Sequence, residues 1–199
     1  MRNGSRTGQD SRMDSYERKE VLGLEGSNEQ MNHLVRKAIR GNAEAYGQLI
    51  EYYKEYLYKT AFLLVNNQEQ ALDLVGETIL KGFQFVHKVK KPEYFKTWLT
   101  KILINAAHDC YRKYPQMEDI DALTGMEAAD PGAGLSMEEK MDLNHAVSLL
   151  PDKYRTVIIL KYFDEMTIRE IAFAMGIPEG SVKAYLHRAK EELRKRIAF

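Results

Sequence analysis

The chain of 199 residues has one cysteine, one tryptophan, five prolines and no excess of either charge, with 29 Lys/Arg against 29 Asp/Glu. A lone Cys110 excludes an internal disulfide and any multi-cysteine metal centre. The five histidines, His33, His87, His108, His145 and His187, are dispersed and form no ligand cluster, so neither a metal nor a cofactor is expected. Unbroken apolar runs are short, as at 61–65 and 157–160, so no membrane insertion is expected. The first ten residues are polar and lack a hydrophobic signal core, which points to a cytoplasmic protein. There is no P-loop, no dinucleotide-type glycine fingerprint and no His-Glu-x-x-His. His108 and Asp109 are neighbours, but adjacent helical residues point about 100° apart, so they make no dyad. An enzyme is not expected.

What is present is 44% hydrophobic and 29% charged, enough apolar content for one domain or two small ones. Zero net charge taken alone argues against binding a polyanion. Divided by segment it reads differently. Residues 81–113 carry eight Lys/Arg against two acids, a net of +6. Residues 114–142 carry one lysine against eight acids, a net of −7, and residues 179–199 carry six Lys/Arg against three acids, a net of +3. Two basic blocks flank one acidic block, a layout that fits a polyanion partner or solvated helix faces.

Residues 1–30 hold four glycines and four serines with little apolar periodicity, and read as a flexible N-terminal tail. From Met31 apolar residues recur at three- and four-residue steps, with a break at Gly41–Asn42 and an end at Asn66–Asn67. A second helix places Ala71, Leu74, Val75, Thr78, Ile79, Phe83 and Val86 on one face. Pro92 interrupts it. A third runs from about Tyr94 to Tyr114 and buries Phe95, Trp98, Leu99, Ile102, Leu103, Ala106 and Cys110. Residues 115–136 lack periodicity and carry much of the acidic block, as a linker between two domains would. Ser136 with Glu139 forms a capping-box pattern that opens the second domain, 137–199. No segment reads as a strand. The expected class is all-α: two small helical domains, 31–114 and 137–199, joined by a flexible acidic linker.

The most specific local pattern is IREIAFAMGIPEGSVKAYLHR at 168–188. A helix-turn-helix needs a small residue where the helices cross, a glycine at the turn and apolar residues that lock the pair. Ala172, Gly176 and the set Ile171, Met175, Ile177, Val182 and Leu186 meet those needs, Pro178 starts the second helix, and Thr167 with Glu170 caps the first. The second helix then offers Ser181, Lys183, Ala184, His187, Arg188 and Lys190 to DNA, early residues to base edges and outer basic ones to phosphates. In the third helix Trp98, Asn105, Asp109, Arg112 and Lys113 combine aromatic, amide and basic groups suited to an unpaired strand, although Trp98 at that spacing also fits a core position.

These residues carry a resemblance. Leu72-Asp73-Leu74-Val75-Gly76-Glu77-Thr78, followed by Phe95-Lys96-Thr97-Trp98-Leu99 and Asn105, resembles region 2 of bacterial sigma factors. Leu150-Pro151 through Tyr154-Arg155, with the helix-turn-helix behind it, resembles region 4. Two regions and a short linker over residues 31–199 are similar to the extracytoplasmic-function (group IV) subfamily of the sigma-70 family. The resemblance implies a promoter-specificity subunit of RNA polymerase. Asp73, Leu74, Val75, Glu77 and Thr78 would grip the clamp coiled coil of the β′ subunit, and region 4 would meet the β flap. Lys96, Thr97, Trp98, Asn105 and Asp109 would melt and capture the −10 strand, with Arg112 and Lys113 on phosphates. Ser181, Lys183, Ala184, His187, Arg188 and Lys190 would read the −35 element. The family usually has glutamine where this chain has Gly76, which lowers helix propensity. The resemblance also implies an anti-sigma factor, and a linker that threads the polymerase's RNA exit path as a mimic of nucleic acid; the charge layout itself suggests that the acidic linker competes with DNA for the basic faces of the free chain. A different reading is a stand-alone helix-turn-helix regulator with a helical sensor domain, dimeric on half-sites about one turn apart. The region 2 pattern has no place in it.

Overall fold

A computed structural model describes residues 28–113 and 137–197, with side-chain surroundings for 28–112 and 143–196. The expected acidic linker, the Ser136–Glu139 cap and all but the last three residues of the expected tail lie outside these. Residues 28–30 already belong to the first helix, α1, Asn28–Ile39. No strand occurs among the described residues.

Asparagines punctuate the N-terminal half. Asn42 opens α2, Ala43–Val65, by accepting from the Ala45 N–H at 2.7 Å, and so satisfies a donor that the first turn would leave orphaned. Asn66 closes α2 in the left-handed region (φ 50°), and Asn67 opens α3, Gln68–Phe85, by accepting from the Gln70 N–H at 2.9 Å. Two 3-10 turns, Val86–Lys88 and Pro92–Tyr94, then redirect the chain into α4, Phe95–Lys113. Phe95, Leu99, Leu103, Ile104 and Ala107 form the buried stripe of α4 against α2 and α3.

The C-terminal half runs α5, Met137–Ser148; α6, Asp152–Ile158; a π-helical segment, Ile159–Phe163; α7, Ile168–Met175; and α8, Glu179–Ile197. The π segment ends where the Asp164 N–H donates to the Ile159 carbonyl at 3.1 Å, and the next residue, Glu165, takes a positive φ of 56°. Such a segment was not legible in the sequence, and its rarity makes it a marker of constrained local geometry.

The two halves pack on each other, α4 lying along α7, and share one apolar core from Val35 to Ala189. Arg155 of α6 is buried at this junction. Its Nη1 donates to the Leu64 carbonyl at the end of α2 (2.7 Å), Nη2 reaches the Leu150 carbonyl (3.2 Å) and Asp152 (3.4 Å), and the guanidinium lies 5.5 Å from the Tyr111 ring centre.

Candidate nucleic-acid interface

The pair α7 and α8 is built as the sequence pattern demands. The Thr167 hydroxyl accepts from the Glu170 N–H at 3.3 Å while the Glu170 carboxylate accepts from the Thr167 N–H at 2.9 Å, a complete capping box. Burial pushes the Glu170 carboxyl up, but the hydrogen bonds from Thr167 and Thr97 and the Lys96 charge outweigh it and hold the group below its usual value. Gly176 ends α7 at φ 67°, a conformation that a side chain would strain, and lets the Ile177 N–H return to the Ala172 carbonyl at 3.1 Å. Ile171, Ala174, Val182, Leu186 and Ala189 lock the pair from inside, with Ala172, Met175 and Ile177 partly buried.

Opposite that seam, α8 exposes Lys183, Ala184, His187, Arg188 and Lys190, with Ser181 half-buried at its start. Their spacing puts five of the six expected DNA contacts in solvent on one side of a helix, the arrangement that enters a major groove. His187 Nδ1 lies 3.5 Å from Glu191, an ion pair only when the imidazole is protonated, and Lys190 sits 5.3 Å over the Tyr162 ring.

On α4, Asn105 is exposed and Asp109 pairs with exposed Arg112 one turn on. Together with His108, Tyr111 and residues 151–153 of the second half, they line an open cleft of about 820 Å³. Among the described residues, no group of three or more His, Cys, Asp or Glu could hold a metal, and no helix is long and apolar enough to cross a membrane.

Residues 49–114 match the family described as Sigma-70 region 2, and residues 140–193 match Sigma-70, region 4. The chain is 31% identical over 184 residues to the ECF RNA polymerase sigma factor SigW of Bacillus subtilis, covering 84% of this chain and 98% of that protein. It belongs to the extracytoplasmic-function sigma factors. The RNA polymerase sigma factor SigV of the same organism is 37% identical over 142 residues, which is 71% of this chain and 84% of that protein. Among solved structures, the sigma factor RpoE of Bartonella quintana, solved with the anti-sigma factor NepR, shares the fold with a TM-score of 0.62 at 23% identity. That match covers 78% of this chain and 98% of the other. Sigma factors direct RNA polymerase to promoters, and that is the function of this one.

Several residues expected at contacts of this sigma factor face its own core. Leu74 and Thr78 on α3 are buried, and the Thr78 hydroxyl donates to the Leu74 carbonyl at 2.7 Å, so neither side chain is open to a polymerase subunit in this arrangement. Asp73 is exposed, and Val75 and Glu77 are intermediate. The outward strip also holds Leu72 (55% exposed), Gly76, Leu80 (66%) and Phe83 (51%). Phe83 was expected inside; the inner row is instead Ala71, Leu74, Thr78 and Gly82. Leu72, Gly76 and Leu80 repeat every fourth residue, which was the legible sign of a second, outward apolar stripe.

On α4, Thr97 is 3% exposed and its hydroxyl donates to Glu170 at 3.3 Å, so α7 covers it. Trp98 is partly buried and lies 5.8 Å from the Phe95 ring, as its core alternative required. Lys96 is half-buried, and the Lys113 side chain lies outside the described set. Sequence reasoning passed over Asp164 and the contact roles of Arg155 and Glu170, because no local pattern marks residues whose partners lie 104, 91 and 73 positions away.

Proposed function

We propose that this sigma factor recruits core RNA polymerase through the outward strip of α3, melts the −10 element with α4 and reads the −35 element with α8. The observation that carries this reading is the solvent-facing row of Lys183, Ala184, His187 and Arg188 directly behind the Gly176 turn, on a chain that carries region 2 ahead of region 4. Arg188 and Lys183 would contact bases or phosphates in the −35 groove, with Ser181 and Ala184 beside them and Lys190 at the rim. Asn105, Asp109, Lys96, Arg112 and Lys113 would handle the −10 strand, in which a base extruded at a cost of a few kcal/mol is recaptured by the protein. Asp73, Leu72, Glu77 and Leu80 would meet the β′ clamp coiled coil, and the C-terminal half the β flap.

Neither DNA contact need be tight alone, because tethering both to one polymerase raises the effective concentration of the second. The chain would act in the cytoplasm, in a stress or envelope response, with an anti-sigma factor as its regulator. Size-exclusion chromatography with purified core polymerase, followed by permanganate probing of promoter thymines, tests the assignment. Co-elution and reactive −10 thymines that require both components are expected. Specific duplex binding by a dimer of the chain without core polymerase would instead establish the stand-alone regulator.

A further inference from the structure

The first helix, α1, lies ahead of the segment that matches region 2, residues 49–114, and is nevertheless packed onto it. Val35 and Ala38 are buried, and Met31, Leu34 and Ile39 pack against the same core as Val86 and Val89 of the turns between α3 and α4. None of the apolar residues of α1 is left exposed. The opposite face is basic. His33, Arg36, Lys37 and Arg40 occupy positions i, i+3, i+4 and i+7 and are all exposed, Arg40 directly after the last turn of α1. The two 3-10 turns that α1 contacts expose His87, Lys88, Lys90 and Lys91.

Over residues 28–40 and 86–94 six Lys/Arg stand against Glu29 and Glu93, a net of +4. Lys54, Lys81, Arg112 and Lys195 each pair with an acid within about one turn of their own helix, but among the described residues none of these six is in an ion pair. The Lys88 ammonium stands 4.5 Å over the Phe85 ring and that of Lys91 5.9 Å over the Tyr94 ring, contacts that leave both charges open to solvent. Like charges crowded together repel, and a polyanion laid across them relieves the repulsion while releasing its own counterions.

We propose that α1 and the two turns form an accessory grip on the DNA backbone, in which Arg36, Lys37 and Arg40 neutralise promoter phosphates beside the strand held by α4. The proposal rests on the assignment of α4 to the −10 strand. Continuity favours DNA: Pro92–Tyr94 runs directly into α4, Phe95–Lys113, which carries Asn105 and Arg112. Composition favours it too, because a helix that binds a lipid surface presents apolar side chains to it, and those of α1 face the core. Phosphate contacts carry no sequence information, so the grip adds affinity and register without a base preference.

Holoenzyme assembled from core polymerase and the full chain, titrated with a fluorescent promoter duplex between about 50 and 200 mM salt, tests this. Arg36→Ala, Lys37→Ala and Arg40→Ala combined should leave the melting temperature unchanged, because all three residues are exposed. The slope of log affinity against log salt should become shallower by about 2–3. The wild type's advantage at low salt should therefore narrow by at least about tenfold across that range. Lys90→Ala with Lys91→Ala should make the slope shallower by about 2. In hydroxyl-radical footprints of the DNA, the α1 variant should lose protection of the backbone next to the −10 element and keep it at the −35 element. An unchanged slope in the α1 variant, or affinity lost at an unchanged slope, would overturn the grip. Co-sedimentation of the chain with phosphatidylglycerol vesicles that the α1 variant abolishes, with promoter binding intact, would overturn it in favour of a lipid surface. Wild-type holoenzyme that leaves −10 thymines unreactive to permanganate would defeat the assignment of α4, whereas reactive thymines with an unchanged slope would defeat the grip alone.

Discussion

Alanine at position 76 should raise the stability of this sigma factor, and alanine at position 82 should lower it, although both glycines sit in α3 six residues apart. A Cβ built on Gly76 meets nothing within 4 Å, and the residue faces solvent in the middle of the helix. Gly76→Ala then changes only backbone entropy, a gain of about 0.8–1 kcal/mol. A Cβ on Gly82 would stand inside contact distance of the Tyr46 hydroxyl and 3.2 Å from a Leu99 methyl. That hydroxyl is held by the Ile79 carbonyl at 2.8 Å, and the Tyr46 ring packs 5.4 Å from Phe83. Gly82→Ala must displace Tyr46, so overpacking of about 1–3 kcal/mol and a lost hydrogen bond of about 1 kcal/mol outweigh the propensity gain. The net loss is about 1–3 kcal/mol. For a chain of this length each kcal/mol moves the melting temperature by about 2–4 °C, so thermal melts followed by circular dichroism resolve both changes. A destabilised Gly76→Ala would mean that position 76 is not open. A stabilised Gly82→Ala would mean that Tyr46 does not lie across α3.

Other outcomes follow from the same geometry. Leu80→Asp should weaken binding to core polymerase at least tenfold in a competition assay while leaving the melting temperature unchanged, because the side chain is two-thirds exposed. Asn105→Ala should reduce promoter opening, measured by permanganate reactivity, without a matching loss of core binding. Arg188→Ala should cost about 1–3 kcal/mol of affinity for a −35 duplex in the context of the holoenzyme, and Lys183→Ala should lower the salt dependence of that binding.

Much of the architecture was legible because its signals are local. Asn42, Asn66, Asn67 and Pro92 mark helix ends through their own side chains or ring, and the Thr167–Glu170 box and Gly176 fix the helix-turn-helix within ten residues. The α8 face was readable for the same reason: Val182, Leu186 and Ala189 define the inside, and the basic residues fall opposite. What escaped was the contact between the halves. Arg155 meets Leu64 across 91 positions and Asp164 meets Thr60 across 104, and periodicity says nothing about pairs so distant. Thr97 shows the consequence: its sequence neighbours lead one to expect it at a DNA contact, while Glu170 covers it in this arrangement. Leu74 and Thr78, expected at the polymerase contact, are buried in this arrangement for a different reason. A motif names a helix segment, and only the packing of α3 on α2 and α4 decides which of its residues point outward.

The central claim is that this chain acts through RNA polymerase and not beside it. Run-off transcription with purified core polymerase, with and without the chain, on promoter-bearing fragments tests it most directly. Discrete transcripts that appear only when the chain is added, and that Asn105→Ala and Arg188→Ala both reduce, are the predicted result. Transcripts indifferent to the chain, alongside tight and specific duplex binding by the chain alone, would contradict it.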